Sequence, residues 1–193
     1  MRQPWNHNIH YHPQILQAVP PGAERALDIG CGEGMLARKL RGVVPHVTGV
    51  DLDTHSLELA RGHGDDIEYV HGDFLEYPLE PASYDVIGSI ATLHHVDARA
   101  GLLRMRELLR PGGALVVVGV ARETFPRDLP HAIAGVAANR ALRATKGYWE
   151  HPSPTVWPPP VTYEDMRTLA AELLPGSTYR RHLLFRYSIT WQK

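Results

Sequence analysis

The sequence predicts one α/β domain built on a mostly parallel β-sheet. Three observations carry that expectation. Short apolar runs alternate with helical patterns between residues 26 and 120, the rhythm of βαβ units. A glycine-rich loop (Gly30, Gly32, Gly34) follows the first run directly. The length, 193 residues, suits one ordinary domain with a lid and is too short for two full ones.

The elements follow in order. Residues 26–29 form a short strand-like run ending in glycines, and residues 33–40 place Leu36 and Leu40 on one helical face. Residues 47–50 are the second strand, with Asp51 after it; residues 55–61 suit a short helix that Gly62 stops. Residues 67–70 are the third strand, before Gly72-Asp73, and residues 84–90 the fourth. In residues 98–109, Leu102, Met105, Leu108 and Leu109 make a helical stripe, and Pro111-Gly112-Gly113 turns the chain into residues 114–120. That fifth run is nearly all apolar, as a strand covered on both faces should be.

The pattern changes after Val120. Residues 121–160 hold Pro126, Pro130, Pro152, Pro154 and Pro158-Pro159-Pro160 around an alanine-rich helical stretch at 131–145. This is too long for a plain crossover and reads as an inserted lid or cap. Residues 162–174 suit a helix, with Thr162 as N-cap and Asp165 three residues on. Pro175-Gly176 ends it, and residues 178–185 and 187–191 are the strands of a hairpin at one sheet edge. Residues 1–22 are expected to form an arm or helix over the cleft of a single domain spanning 1–193.

Composition narrows the function classes. Lys and Arg number 20 against 21 Asp and Glu, so no global basic field points to nucleic acid. The balance is uneven: residues 1–119 carry 10 basic and 15 acidic side chains, residues 120–193 carry 10 and 6. The basic half is either ordinary surface variation or a face for an anionic substrate. One cysteine, Cys31, excludes an intrachain disulfide and a multi-cysteine zinc site. No run approaches 18 apolar residues, and the start MRQPWNHNIHYH lacks the apolar core of a signal peptide. A cytoplasmic protein with no membrane partner is expected.

The string LDIGCGEG, residues 27–34, carries the chemistry. Glycines let the backbone turn sharply and approach a ligand, and the helix that follows offers free N–H groups. The dinucleotide pattern G-x-G-x-x-G fails from either start, because Met35 and Ala37 stand where its third glycine belongs. Asp28, two residues ahead of Gly30, suits a cofactor that presents an ammonium group rather than a pyrophosphate. Asp51 lies 21 residues after Gly30, where a carboxylate accepts from both ribose hydroxyls; the plainer alternative is a helix cap. For Asp53 the cap is the preferred role. Asp73 is placed to accept from a purine amine, with Phe74 as an apolar side, or is a turn aspartate.

These residues resemble the class I S-adenosylmethionine-dependent methyltransferases, in particular small actinobacterial ones. LDIGCGEG resembles the loop beneath the methionine part of the cofactor, and VTGVDLD (47–53) the ribose segment, with Asp51 and Leu52. HGDF (71–74) resembles the adenine-contacting segment, YDVIGSIATLHH (84–95) the fourth strand and its exit, and LLRPGGALVVV (108–118) the turn and fifth strand. The resemblance implies a Rossmann-like seven-stranded sheet of order 3-2-1-4-5-7-6 with its last strand antiparallel. It implies S-adenosyl-L-methionine as cofactor and S-adenosyl-L-homocysteine as product. Asp28, Gly30, Cys31, Gly32, Gly34, Asp51, Leu52, Asp73 and Phe74 are the expected cofactor contacts, and the insert and N-terminal region are expected to select the acceptor.

Methyl transfer from a sulfonium is an in-line displacement in which the protein orients the acceptor and excludes water. A hydroxyl acceptor also needs a base. His94 and His95, after the fourth strand, are the candidates; spacing does not choose between them, and either can instead stabilise the loop. In the N-terminal tract, Tyr11 is expected to reach the cofactor's methionine carboxylate, and His7 and His10 the substrate. His7, His10 and His12 match no strong zinc spacing, so no metal is expected. In the insert, Tyr148, Trp149 and Trp157 either stack a planar acceptor or form the insert's own core, in which His151 would share. Cys31 reads as a small buried filler.

The expected activity is therefore methylation of an O or N atom of a small molecule. A dinucleotide oxidoreductase and a cofactor-binding protein with a non-catalytic partner role remain alternatives. SIATLHH lacks the Asn-Pro-Pro-Tyr type of tetrad, so no nucleic-acid partner is expected. Monomer and homodimer both stay open.

Overall fold

The structure, a computed structural model, describes residues 5–64, 66–149 and 157–193. His151, Pro152 and Pro154 lie outside the described residues. Seven strands form one sheet: β1 (Arg25–Ile29), β2 (His46–Asp51), β3 (Glu68–His71), β4 (Tyr84–Ile90), β5 (Leu109–Gly119), β6 (Thr178–His182) and β7 (Arg186–Gln192). Their order is β3-β2-β1-β4-β5-β7-β6, with β7 antiparallel to both of its neighbours. Among the described residues, six α-helices accompany them: α1 (His12–Gln17), α2 (Met35–Arg41), α3 (Thr54–Arg61), α4 (Ala98–Leu108), α5 (Leu129–Lys146) and α6 (Tyr163–Leu173). This is the Rossmann-like α/β architecture and strand order that the resemblance implies.

Strand alternation divides the core in two. Leu27, Ile29, Ile87, Leu115 and Val117 face one way and pack with Leu102 and Met105 of α4 and Met166 and Ala170 of α6. Ala26, Val86, Val116 and Val118 face the other way, against Ile15 of α1 and Leu36 and Leu40 of α2. A fully buried Leu or Ile of this kind contributes about 1.5–3 kcal/mol of transfer free energy. Gly88 lets α1 close onto β4, since a Cβ there would stand 3.1 Å from Ile15 and 3.2 Å from Leu36.

Several boundaries differ from the sequence-based expectation for local reasons. Helix α2 starts at Met35 because Gly34 takes a left-handed conformation, φ +73°. Strand β5 begins at Leu109, ahead of the expected turn: Leu109 pairs with Tyr84 across a register shift. Gly112 and Gly113 there exchange backbone bonds of 2.7 and 3.0 Å with Lys193. The C-terminal hairpin is shorter at its tip, where Phe185 turns the chain at φ +55°. Asp53 caps α3 through His55 N–H at 3.1 Å, and Thr162 and Asp165 form a capping box on α6.

The insert contributes α5, which crosses the β6–β7 turn at Gly135; a Cβ there would stand 2.6 Å from the Leu183 carbonyl. The N-terminal tract reaches the same helix, with the His7 ring 2.9 Å from Asn139 Oδ1. Trp149 N–H donates to the Trp5 carbonyl at 2.9 Å. Among the described residues, no helix is long and apolar enough to cross a membrane.

Candidate active site

A cleft of about 590 Å³ opens at the carboxyl ends of the parallel strands, where ligands bind in open α/β sheets. Each strand delivers its following residues to it: Gly30 to Gly32 after β1, Asp51 to Asp53 after β2, Gly72 to Phe74 after β3, and Ala91, Thr92, His94 and His95 after β4. Strand β7 runs the other way, so its first residue, Arg186, also lines the cleft.

The glycine loop has a conformational cause. Gly30 sits at φ +72°, and a Cβ there would lie 1.9 Å from Thr92 Oγ1. Thr92 Oγ1 donates to the Ile29 carbonyl at 3.1 Å, which docks the β4 exit on the loop. Gly30 and Cys31 N–H both donate to the Val50 carbonyl, at 2.8 and 3.2 Å. Asp51 then accepts from Gly32 N–H at 2.7 Å and from Asp53 N–H at 2.8 Å. Its carboxylate is thus held at the cleft wall by two backbone donors.

Asp28 is the electrostatic centre of this half. Its residue is 2 % exposed, and its Oδ2 has no hydrogen-bond partner. Burial pushes its carboxyl up to about 7; the Ala37 N–H opposes this and the nearby Asp51 charge adds to it. An orphaned, buried carboxylate oxygen in a cleft fits an ammonium group, which supplies both the missing donor and the missing charge. The residues present therefore fit the amino acid end of S-adenosylmethionine at Asp28 and the ribose hydroxyls at Asp51. Cys31 lines the cleft, but burial and the Asp28 and Asp51 charges push its thiol up, leaving it protonated and unreactive.

His94 and His95 stand together, ring centroids 4.0 Å apart. Burial, then His95 and Arg186, pushes His94 down to about 4, so the ring is neutral near pH 7, with Nδ1 buried and unpartnered. Burial also lowers His95, while the Asp51 charge opposes the shift.

The structure brings Asp28, Gly30, Cys31, Gly32, Asp51, Leu52, Asp73, Phe74, His94, His95, His7, Tyr148, Trp149 and Trp157 to one cleft. Three expected contacts lie elsewhere. Tyr11 is buried beside His10 and His182, with its hydroxyl turned to the Leu184 backbone, because its 3-10 turn docks it on the β6–β7 hairpin instead of the cofactor side. His10 is turned toward Trp5, whose indole N–H approaches Nδ1 at 3.5 Å. Gly34 starts α2 against Tyr69, whose hydroxyl would stand 2.2 Å from a Cβ there; it shapes the loop from behind. Tyr148 carries the Arg143 guanidinium 4.0 Å over its ring, whereas Trp157 is 76 % exposed at the rim. Among the described residues, no group of three or more His, Cys, Asp or Glu is placed to hold a metal ion.

Sequence reasoning missed Asn6, Asn8, Thr92 and Arg186, all of which line the cleft. Asn6 Oδ1 accepts from Asn8 and Ile9 N–H at 2.9 Å each, a side-chain cap of the N-terminal turn. Two asparagines flanking a histidine before a helix were the available signal for it. Arg186 gave no signal in the sequence.

Comparison with known proteins finds methyltransferases. The family described as "Methyltransferase domain" matches residues 27–117. An uncharacterized methyltransferase of Mycobacterium tuberculosis is 41% identical over 195 residues, covering 100% of this chain and 98% of that one. A ubiquinone biosynthesis O-methyltransferase of Marinobacter nauticus is 34% identical over 131 residues, 63% of this chain and 53% of the relative. Among solved structures, an S-adenosylmethionine-dependent methyltransferase of Mesorhizobium loti shares the fold with a TM-score of 0.63 at 18% identity, over 94% of this chain and 96% of that one. A phosphoethanolamine N-methyltransferase of Haemonchus contortus in complex with S-adenosyl-L-methionine shares it with a TM-score of 0.58 at 24% identity, over 87% and 36% of the two chains.

Proposed function

The chain belongs to the S-adenosylmethionine-dependent methyltransferases, and from that premise we propose that it methylates an O or N atom of a small-molecule acceptor in the cleft above β4 and β7. Membership decides between the enzyme classes that the glycine spacing left open, in favour of methyl transfer over hydride transfer. The observation that carries the site assignment is Asp28, buried at the cleft with an unpartnered oxygen. S-adenosylmethionine supplies an activated methyl carbon on a sulfonium centre. Asp28 binds its ammonium, Asp51 accepts from its ribose, and Asp73 and Phe74 border its base. His94 or His95 receives the proton that a hydroxyl acceptor gives up. The roof of Tyr148, Trp149 and the N-terminal turn excludes water.

The cleft volume supports a small acceptor. About 590 Å³ must hold both the cofactor and the acceptor, and a pocket of this size ordinarily encloses about one drug-sized ligand. The relatives named as O-methyltransferases of ubiquinone biosynthesis favour an oxygen acceptor.

The test is calorimetric titration with S-adenosylmethionine, S-adenosylhomocysteine and NAD, followed by methyl-transfer assays with labelled donor on hydroxylated and amine-bearing small molecules, protein and RNA. Micromolar binding of the first two ligands and turnover of a small molecule are the expected results. NAD binding alone, or turnover confined to protein or RNA, overturns the proposal. Turnover of any acceptor excludes a purely non-catalytic role.

A further inference from the structure

We propose that Arg186 binds and selects an acceptor that carries an anionic group, a carboxylate or phosphate held beside the atom to be methylated. This rests on the methyltransferase reading above and goes beyond it by naming the charge of the substrate.

Arg186 is the first residue of β7 and lines the cleft. The residue is half-buried with its Nε fully enclosed, and burial lowers its proton affinity. Nη2 donates to Asn8 Oδ1 at 2.9 Å and Nη1 to the Phe185 carbonyl at 3.2 Å. Nε is buried with no partner. The groups that favour its charge are Tyr163, Tyr11 and Tyr148, and among the described residues no carboxylate does so. Arg181, on the neighbouring strand β6, shows the contrast: it bridges Asp128 at 2.5 Å and Glu123 at 3.4 Å. A buried guanidinium without a counter-ion is costly. Its planar fork also matches carboxylate and phosphate oxygens. An anionic ligand in the cleft supplies the counter-ion that the described residues leave out.

Position assigns that anion to the acceptor rather than to the cofactor. Asp28 and the glycine loop lie at β1, and the sheet order places β4 and β5 between β1 and β7. Three strand spacings separate the two sites, roughly 14 Å. Arg186 instead stands near His94, at the β4 exit, whose proton affinity its charge lowers.

The test uses the full chain. S-adenosylhomocysteine is titrated first, and the resulting complex is then titrated with 4-hydroxybenzoate, with phenyl phosphate and with neutral 4-hydroxybenzamide. At least one anionic probe should bind tenfold or more tightly than the amide, and which one does separates carboxylate from phosphate recognition. Arg186→Gln should abolish that preference while leaving S-adenosylhomocysteine affinity within about threefold. Arg186→Lys, which keeps the charge without the fork, should retain part of the preference, and it serves as the variant if Arg186→Gln fails to fold. Equal binding of acid and amide, no binding of either anion, or a preference that survives in Arg186→Gln overturns the proposal. So does a tenfold loss of S-adenosylhomocysteine affinity in that variant, which would give the charge to the cofactor. Failure of S-adenosylhomocysteine to bind the unaltered chain identifies the methyltransferase reading as the fault and takes this proposal with it.

Discussion

Asp51 accepts a 2.7 Å hydrogen bond from the backbone N–H of Gly32, so the acid that ends β2 holds the glycine loop that ends β1. The two cofactor-facing segments form one rigid corner. A ligand that meets Asp51 meets a carboxylate whose direction is already set by two N–H groups.

Asp51→Ala is expected to weaken S-adenosylhomocysteine binding by about 1–3 kcal/mol, the scale of charged hydrogen bonds lost from a buried site. That corresponds to roughly fivefold to more than a hundredfold in affinity. Calorimetry on the folded variant checks it, and an unchanged dissociation constant removes the ribose assignment.

Gly30→Ala introduces a Cβ 1.9 Å from Thr92 Oγ1 at a φ of +72°. The expected loss is about 1–3 kcal/mol of unfolding free energy from backbone strain alone, with the side-chain clash added. Combining it with Thr92→Ala removes the Oγ1 and Cγ2 contacts but keeps the residue 92 Cβ at 2.8 Å, so it should recover only part of the clash component and leave the backbone component. Urea melts of the single and double variants read the difference; additive losses would mean that the two residues do not meet.

Asp28 makes stability pH-dependent in a stated direction. Its carboxyl is raised from 3.8 to about 7 in the folded chain, so between those values the folded state holds a proton that the unfolded state has released. Its contribution to stability is therefore complete below about pH 4 and is lost as pH rises toward 7. The unfolding free energy of Asp28→Asn should decline less over that window. An ammonium ligand favours the ionised carboxylate, so cofactor binding near pH 6.5 should release a proton from this residue. Titrations in buffers of different ionisation enthalpy measure that release, and proton release unchanged in Asp28→Asn would sink the ammonium assignment.

The two histidines separate by pH profile. A general base works in its neutral form, so kcat/KM rises with pH through the base's own value. With His94 as base the acid limb falls near pH 4, its lowered value. With His95 the limb lies below the ordinary histidine value, because burial lowers the ring while the Asp51 charge opposes the shift. Replacing the true base by Gln should lower turnover of a hydroxyl acceptor roughly 10²- to 10⁴-fold with little change in cofactor affinity. Full turnover in both variants assigns the rings to packing.

The cofactor half was legible in the sequence because its constraints are local. A left-handed glycine must be written as glycine, and an acid that closes a strand next to such a loop is visible by spacing. Helix caps such as Asp53 and Thr162 were legible for the same reason. The acceptor half and the cofactor contact expected of Tyr11 were legible only in part: His7, Tyr148, Trp149 and Trp157 line the cleft, whereas Tyr11 and His10 do not. Tyr11 and His10 share a tract with Asn6, His7 and Asn8, and only the turn at Ile9–Tyr11 decides which of them face the cleft. Arg186 in a hairpin strand looks like any surface arginine until antiparallel pairing with β5 carries it to the ligand-bearing end of the sheet.

The bond between Arg186 and Asn8 joins residues 178 apart in the chain. Segments so distant meet only after the intervening chain has collapsed, so such contacts come late in folding. During synthesis, the residues proposed to hold the cofactor, 28 to 95, are complete while just over half of the chain is still unmade. The acceptor pocket waits for the final strand to slot between β5 and β6. On the proposed roles, a nascent or C-terminally clipped chain would carry the residues for the methyl donor and lack the arginine for the acceptor. If Arg186 selects the acceptor as proposed, substrate choice is the last property this molecule acquires.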